Sequence, residues 1–118
     1  MPEDPTRRAG VDVSPEETLR RHRIGEIQLV DVREDHEVQA GRIAGARHIA
    51  LDQLPLEAES LDPQRPVVFY CRVGARSGMA ANAFRHAGFD AWSMTGGLLA
   101  YAARSLPLEP DDGVVAAH

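Results

Sequence analysis

The chain's only cysteine, Cys71, lies where an apolar stretch meets a basic turn that contains glycine. The four residues before Cys71 are valine, valine, phenylalanine and tyrosine, so residues 67–71 are predicted to form a buried β-strand. Arg72, Gly74 and Arg76 follow within the next five positions. A thiolate is a strong nucleophile, and nearby cations favour it over the thiol. This spacing predicts a reactive cysteine at the end of a strand.

The turn after Cys71 has the features of an anion-binding loop. A helix is predicted to begin about six residues after Cys71, and a turn entering a helix directs several backbone N–H groups into one concavity. Gly74 lets the backbone curl without a steric penalty. The alternative is that Cys71 is an inert, small hydrophobic residue of the core, as free cysteines commonly are.

Strands and helices alternate along the sequence. Apolar runs predict strands at residues 27–32, 46–50, 67–71 and 91–94, and residues 11–13 form a short extended piece. Ser14, Pro15 and Glu17 predict a helix start with a capping box, and Gly41 and Gly88 end two later helices. Such alternation predicts an α/β fold in which a parallel sheet is covered on both faces.

Composition restricts the class of protein. The chain has 118 residues, enough for one domain, with 43% hydrophobic and 26% charged residues. Its net charge of −5 disfavours nucleic acid as a partner. We expect a cytoplasmic protein, because no run approaches the ~20 apolar residues of a membrane span and the N-terminal residues lack a signal-peptide core. One cysteine and five scattered histidines predict neither a disulfide nor a metal site.

The ends of the chain differ from its centre. Residues 1–10 carry two prolines and no periodicity, and they are expected to be a flexible lead-in. The folded domain is predicted over residues 11–104. Residues 105–118 are expected to form a C-terminal tail with little reason to fold.

Four blocks resemble, in order and spacing, a rhodanese domain of the thiosulfate sulfurtransferase family: LVDVRE, GRIAGARHI, CRVGARS and AGFDAWSMTGGLLAY. The resemblance covers roughly residues 11–104 and implies a three-layer α/β/α sandwich around a mainly parallel, five-stranded sheet. Two positions depart from the family pattern. Arg42 stands where histidine is frequent, and Tyr101 stands where tryptophan is usual.

The resemblance also implies a chemistry. Cys71 would take a sulfane sulfur from a small anionic donor such as thiosulfate, or from a persulfide, and pass it to a thiol or to cyanide in a ping-pong cycle without metal or organic cofactor. The persulfide would lie in a cradle of backbone N–H groups. The residues of that active-site loop are Arg72, Val73, Gly74, Ala75, Arg76 and Ser77, of which Ser77 is expected to cap the following helix.

The charged residues are expected to have different roles. Arg72 is predicted to face solvent and to bind the anionic donor or an acidic acceptor. Arg76 is predicted to brace the loop by pairing with a carboxylate, either Asp31 or Glu37. Asp31 and Arg33 are interpreted as a polar latch at the end of a buried strand.

Other functions remain as alternatives. Cysteine phosphatases place arginine six residues after cysteine, whereas that position here is Ser77 and Arg76 lies five after Cys71. Arsenate reduction is disfavoured by the same short loop and by the absence of a second cysteine. A persulfide carrier supplied by a sulfur-relay protein, or a rhodanese-like binding module, would use the same fold with little thiosulfate turnover.

Overall fold

One parallel sheet of five strands organises the chain. The computed structural model describes residues 11–117, and the predicted lead-in, residues 1–10, lies outside the described residues. The strands pair in the order β1-β5-β4-β2-β3, and all four pairings are parallel. Their bounds are β1 Asp12–Val13, β2 Gln28–Asp31, β3 Arg47–His48, β4 Val67–Tyr70 and β5 Ala91–Met94. The predicted parallel α/β sheet is confirmed, although β2 and β3 are shorter than predicted.

Within residues 11–117, five α-helices connect and cover the strands. They are α1 Pro15–Arg23, α2 Asp35–Ala40, α3 Leu54–Glu57, α4 Ala75–His86 and α5 Gly97–Ala103. Short 3₁₀ turns, Leu51–Gln53 and Ala58–Ser60, flank α3. The helix after the cysteine therefore begins four residues after Cys71, and the predicted distance of about six was wrong. Gly74, with φ of 108°, reverses the chain early enough for α4 to start at Ala75.

The first helix begins close to the predicted position. Ser14 Oγ accepts a hydrogen bond from the Glu17 N–H at 3.1 Å, and Pro15 occupies the first helical position. The Glu17 carboxylate instead accepts hydrogen bonds from Arg20 and Arg21. Only one half of the predicted capping box forms, because two neighbouring arginines compete for the carboxylate.

Two apolar cores lie on opposite faces of the sheet. Val67, Phe69 and Cys71 point into the core beneath α4, whereas Val68 and Tyr70 point into the core shared with α1 and α5. This alternation follows from the two-residue period of a strand, and the four β4 residues are all buried because both faces of the sheet are covered. The molecule is a three-layer α/β/α sandwich, as predicted.

The sheet brings two polar segments to one edge. Asp31 at the end of β2 pairs in register with Tyr70 at the end of β4, so the residues that follow both strands emerge side by side. The chain runs from β2 outward to β3 and then returns to place β4 on the other side of β2. Such a reversal at the carboxyl ends of parallel strands is the usual ligand crevice of an open α/β sheet. Cys71 follows β4 at this crevice.

The residues after α5 are ordered against the domain, which corrects the expectation that they have little reason to fold. Three of their apolar side chains, Leu106, Leu108 and Val115, pack against the core shared with α1 and α5. Glu109 exchanges two backbone hydrogen bonds with Arg42, at 2.7 and 3.0 Å. These contacts are distant in sequence, so local composition did not reveal them.

The start of α5 packs directly against the loop that follows Cys71. Gly97 has φ of +66°, and a Cβ at this position would lie 2.5 Å from the carbonyl carbon and oxygen of Arg72. The Leu98 and Leu99 N–H groups donate hydrogen bonds to the carbonyl oxygens of Cys71 and Arg72 at 2.8 and 3.0 Å. The backbone on either side of the Cys71–Arg72 peptide is therefore fixed by α5.

Gly97→Ala should destabilise the protein by at least about 2 kcal/mol more than Gly25→Ala. Both glycines have positive φ, but a Cβ at Gly25 would meet no atom within 4 Å, so Gly25→Ala reports the backbone strain alone. The measurement is the free energy of unfolding from urea denaturation of the two variants. Equal losses would show that the α5–loop contact is looser than described.

Candidate active site

The Cys71 sulfur is a buried hydrogen-bond acceptor. Its Sγ accepts from the Gly74 N–H at 3.1 Å and from the Ser77 N–H at 3.4 Å, and the residue is 1% exposed. Burial of a charged sulfur is costly unless donors compensate for the lost water. Both donors lie at the N-terminus of α4, where the helix dipole also favours negative charge. The site is therefore arranged for an anionic sulfur.

Two serine hydroxyls extend this network. Ser77 Oγ lies 3.5 Å from Cys71 Sγ and 2.8 Å from Ser93 Oγ, and both serines are buried. A hydroxyl has one proton to donate, and the Ser77 hydroxyl also lies 3.3 Å from the Gly74 carbonyl oxygen, which can only accept. The Cys71 sulfur and the Gly74 carbonyl are therefore alternative acceptors for the Ser77 proton when Ser93 donates to Ser77. The predicted capping role of Ser77 was wrong, because Gly74 is the N-cap residue of α4 and Ser77 is its third residue.

Sequence reasoning missed Ser93. It lies within β5, and a serine in a four-residue strand has no spacing that separates it from a surface residue. Its approach to Ser77 depends on how α4 packs on β5, which is a long-range contact.

Arg76 braces the loop through Glu37. The guanidinium donates two hydrogen bonds to the two carboxylate oxygens, at 2.8 and 2.9 Å, and the Glu37 side chain is fully buried. Of the two carboxylates considered for Arg76, the structure pairs it with Glu37. Burial alone would raise the pKa of Glu37, but the hydrogen bonds from Arg76 and from the Glu34 N–H lower it from its ordinary value of 4.5 to about 2. The Arg76 charge is thus neutralised within the protein.

Asp31 and Arg33 form a separate buried pair. The Arg33 Nε and Nη2 atoms donate to the two Asp31 oxygens at 2.9 and 2.8 Å, and Nη2 also donates to the Gly41 carbonyl at 2.7 Å. Both side chains are buried, and the guanidinium carbon lies 5.6 Å from the centre of the Tyr70 ring. This pair joins the ends of β2 and α2 and does not contact Cys71.

Arg72 is half-buried, less exposed than the predicted solvent-facing position. Within residues 11–117 its side chain makes one hydrogen bond, from Nε to the Ala116 carbonyl at 3.2 Å, and it has no carboxylate partner. Val73 and Ala75 beside it are exposed. Of the two arginines in the loop, Arg72 is therefore the one whose charge is not paired with a carboxylate among residues 11–117.

Residues 11–117 hold neither a cluster of metal-ligating side chains nor a membrane-spanning helix. Residues 11–117 contain no group of three or more His, Cys, Asp or Glu side chains placed to hold a metal ion. No helix in that range is long and apolar enough to cross a membrane.

Glu37→Gln should lower the free energy of unfolding by roughly 3 kcal/mol at neutral pH. The reason is that folding lowers the pKa of Glu37 from 4.5 to about 2, and each unit of that decrease stabilises the folded state by about 1.4 kcal/mol. A group with a lowered pKa stabilises the fold above its unfolded value of 4.5 and loses that contribution as the pH falls toward 2. The difference between wild type and Glu37→Gln should therefore shrink between pH 4.5 and 2 in urea denaturation.

Glu17→Gln is the matched control. Arg20 and Arg21 also lower the pKa of Glu17 to about 2, but this pair is open to solvent and screened, so its loss should be much smaller. Similar losses for the two variants would contradict the description of Glu37 as the buried support of the loop.

Comparison with known proteins places this geometry in a family. The model of the rhodanese-like domain matches residues 14–104. A sulfurtransferase of Allochromatium vinosum is 32% identical over 89 residues, covering 75% of this chain and 83% of that protein. The HTH-type transcriptional regulator Rv0324 of Mycobacterium tuberculosis is 38% identical over 120 residues. That match covers 99% of this chain, which spans about half of the regulator, 49% of its length.

A solved structure shows the same fold. The rhodanese-related protein of Thermoplasma volcanium superposes with a TM-score of 0.76 at 22% identity, over 82% of this chain and 95% of that protein. The family model covers most of the chain, and it includes the strands, the loop and the helix that surround Cys71. The chain belongs to the rhodanese-like domain family.

Proposed function

We propose that this protein is a sulfurtransferase that carries a sulfane sulfur on Cys71 from thiosulfate, or from a persulfide donor, to a thiol or cyanide acceptor. The observation that carries the proposal is the Cys71 Sγ held by two N–H donors at the start of α4. Membership of the rhodanese-like family and the similarity to the Allochromatium vinosum sulfurtransferase support the reaction class. We assign the chemistry to residues 11–104.

The proposed cycle has two displacement steps. The Cys71 thiolate attacks the outer sulfur of thiosulfate, and the bond between the two thiosulfate sulfurs breaks with its electron pair leaving on sulfite. The enzyme then carries a persulfide anion. Cyanide or a thiolate attacks the terminal sulfur, and the cleaved S–S bond returns its electron pair to Cys71. In each step the leaving group keeps the electron pair of the bond that breaks, so the proposed cycle needs no external oxidant or reductant.

The loop suits the persulfide that this cycle creates. Donors already aimed at the sulfur stabilise its charge without reorganisation, as an oxyanion hole does. The N–H groups of Gly74 and Ser77 are two such donors, and the Ser77 hydroxyl oxygen lies 3.5 Å from the Cys71 sulfur as a third polar contact. The cytosol keeps thiols reduced, which is compatible with the cytoplasmic location that we propose.

Arg72 is the residue we propose to attract an anionic donor. A thiolate and a dianion repel each other, so their approach needs an uncompensated cation nearby. Arg76 is paired with Glu37, and the cleft beside Arg76 is also lined by Glu34, Asp35 and Asp52. A negatively charged donor is disfavoured in that cleft and favoured on the Arg72 side.

The same pairing argues against a phosphatase. A phosphate ligand needs a guanidinium directed at the phosphoryl oxygens, whereas both outer nitrogens of Arg76 bind the Glu37 carboxylate. Arg76 therefore supports the loop and is not available as the anion clamp.

Cys71→Ala should abolish thiocyanate formation from thiosulfate and cyanide while leaving the protein folded with a modestly lowered thermal unfolding midpoint, because the change removes one buried sulfur atom from a core of larger apolar side chains. Met79→Ala, on the exposed face of α4, is the control and should retain turnover. Wild-type rates in Cys71→Ala would overturn the mechanism.

The same assay distinguishes thiosulfate from a persulfidated protein as the sulfur donor. If the wild-type protein forms no thiocyanate from thiosulfate but accepts sulfur from a persulfidated protein, thiosulfate is not a donor and the domain is a carrier supplied by a partner.

A further inference from the structure

The C-terminal tail, residues 105–117, ends its described path at the active-site loop. The Ala116 carbonyl accepts the hydrogen bond from Arg72 Nε at 3.2 Å. Sequence separation of 44 residues makes this a tertiary contact, and it is the single hydrogen bond of the Arg72 side chain within residues 11–117. The Arg72 guanidinium, which has no carboxylate partner within residues 11–117, is therefore positioned by the tail.

The tail reaches Arg72 along a fixed track beside α2. The Glu109–Arg42 backbone pair holds its middle, with an ion pair between the same two side chains at 3.3 Å. Further along, the Val114 N–H donates to the Ala40 carbonyl at 2.8 Å, and the Val115 side chain packs against the core. The position of Ala116 follows directly from these two residues.

The path of the tail beside α2 requires a glycine at position 41. Its backbone is extended, with φ of 173°, so the conformation itself would accept any residue. A Cβ at Gly41 would overlap the Val114 carbonyl oxygen and lie 2.8 Å from the Val114 nitrogen. The absence of a side chain at Gly41 is therefore what allows the tail to approach α2.

Both departures from the family pattern contact this tail. Arg42 pairs with Glu109, and the buried Tyr101 donates a hydrogen bond from its hydroxyl to the Pro107 carbonyl at 2.6 Å. The family model ends at residue 104, whereas the Mycobacterium tuberculosis relative matches 99% of the chain. The tail thus lies outside the residues matched by the family model, and two positions that depart from the family pattern contact it.

We propose that the tail is a positioning element for donor binding: the Ala116 carbonyl fixes Arg72 through Nε and leaves the two Nη groups to hold the anionic oxygens of a donor such as thiosulfate. This rests on the proposed function of the site. A free arginine side chain loses rotamer entropy when it is immobilised. Holding Arg72 in place beforehand removes part of that cost from binding.

The test is a double-mutant cycle with Gly41→Ala, Arg72→Ala and the double variant. We measure KM and kcat for thiosulfate, and the dissociation constant of sulfite for the sulfur-free protein by calorimetry. In the presence of Arg72, Gly41→Ala should raise KM and the sulfite dissociation constant about three- to tenfold, the range of one hydrogen bond. It should leave kcat near wild type.

In the Arg72→Ala background, Gly41→Ala should have no further effect on either constant. An equal effect in both backgrounds, or none in either, would overturn the proposal. The sulfite titration decides the matter even if the wild-type protein does not turn over thiosulfate, so failure of the proposed function remains distinguishable.

Two substitutions in the tail test its role independently, in case Gly41→Ala impairs folding. Val115→Asp places a charge against the core and should reproduce the loss of sulfite affinity, whereas Val114→Ala alters a side chain that is 60% exposed and should not. Unchanged affinity in Val115→Asp would contradict the proposed role of the tail.

Discussion

The burial of one sulfur atom at the start of a helix is the constraint on which the site depends. Cys71 is almost completely buried. Negative charge on its sulfur must therefore be stabilised by the Gly74 and Ser77 N–H groups and by the helix dipole. These donors are useful only if the loop keeps its shape. Packing of Gly97 from one side and the ion pair of Glu37 from the other provide that rigidity.

The two arginines of the loop have different roles: Arg76 supports the loop structurally, and Arg72 provides positive charge. Arg76 is held in a bidentate pair with a buried carboxylate, so it stabilises the loop and its charge is balanced within the protein. Arg72 has no acidic partner among residues 11–117 and is held by a neutral carbonyl, which leaves its charge intact. A site that joins a thiolate to an anionic donor needs this separation, because a neutralised cation cannot offset their repulsion.

The sequence was sufficient for the fold class, for the strand before Cys71 and for the glycine turn that follows it, because strand composition and glycine placement are local signals. It did not decide whether Arg76 pairs with Asp31 or with Glu37, since both carboxylates come near the same sheet edge. Only the path of α2 places Glu37 against Arg76. It assigned Ser77 as a cap because the helix was placed too late. Ser93 and the docking of residues 105–117 arise from contacts between distant segments, which no local pattern encodes.

The central claim is that the sulfur of Cys71 carries the transferred sulfur atom. The most direct measurement is the intact mass of the cyanide-treated protein before and after incubation with thiosulfate, followed by peptide mapping and a second cyanide wash. The account predicts a gain of one sulfur atom on the peptide that contains Cys71, and its removal by the wash. No gain, with Cys71 still open to alkylation, would contradict it.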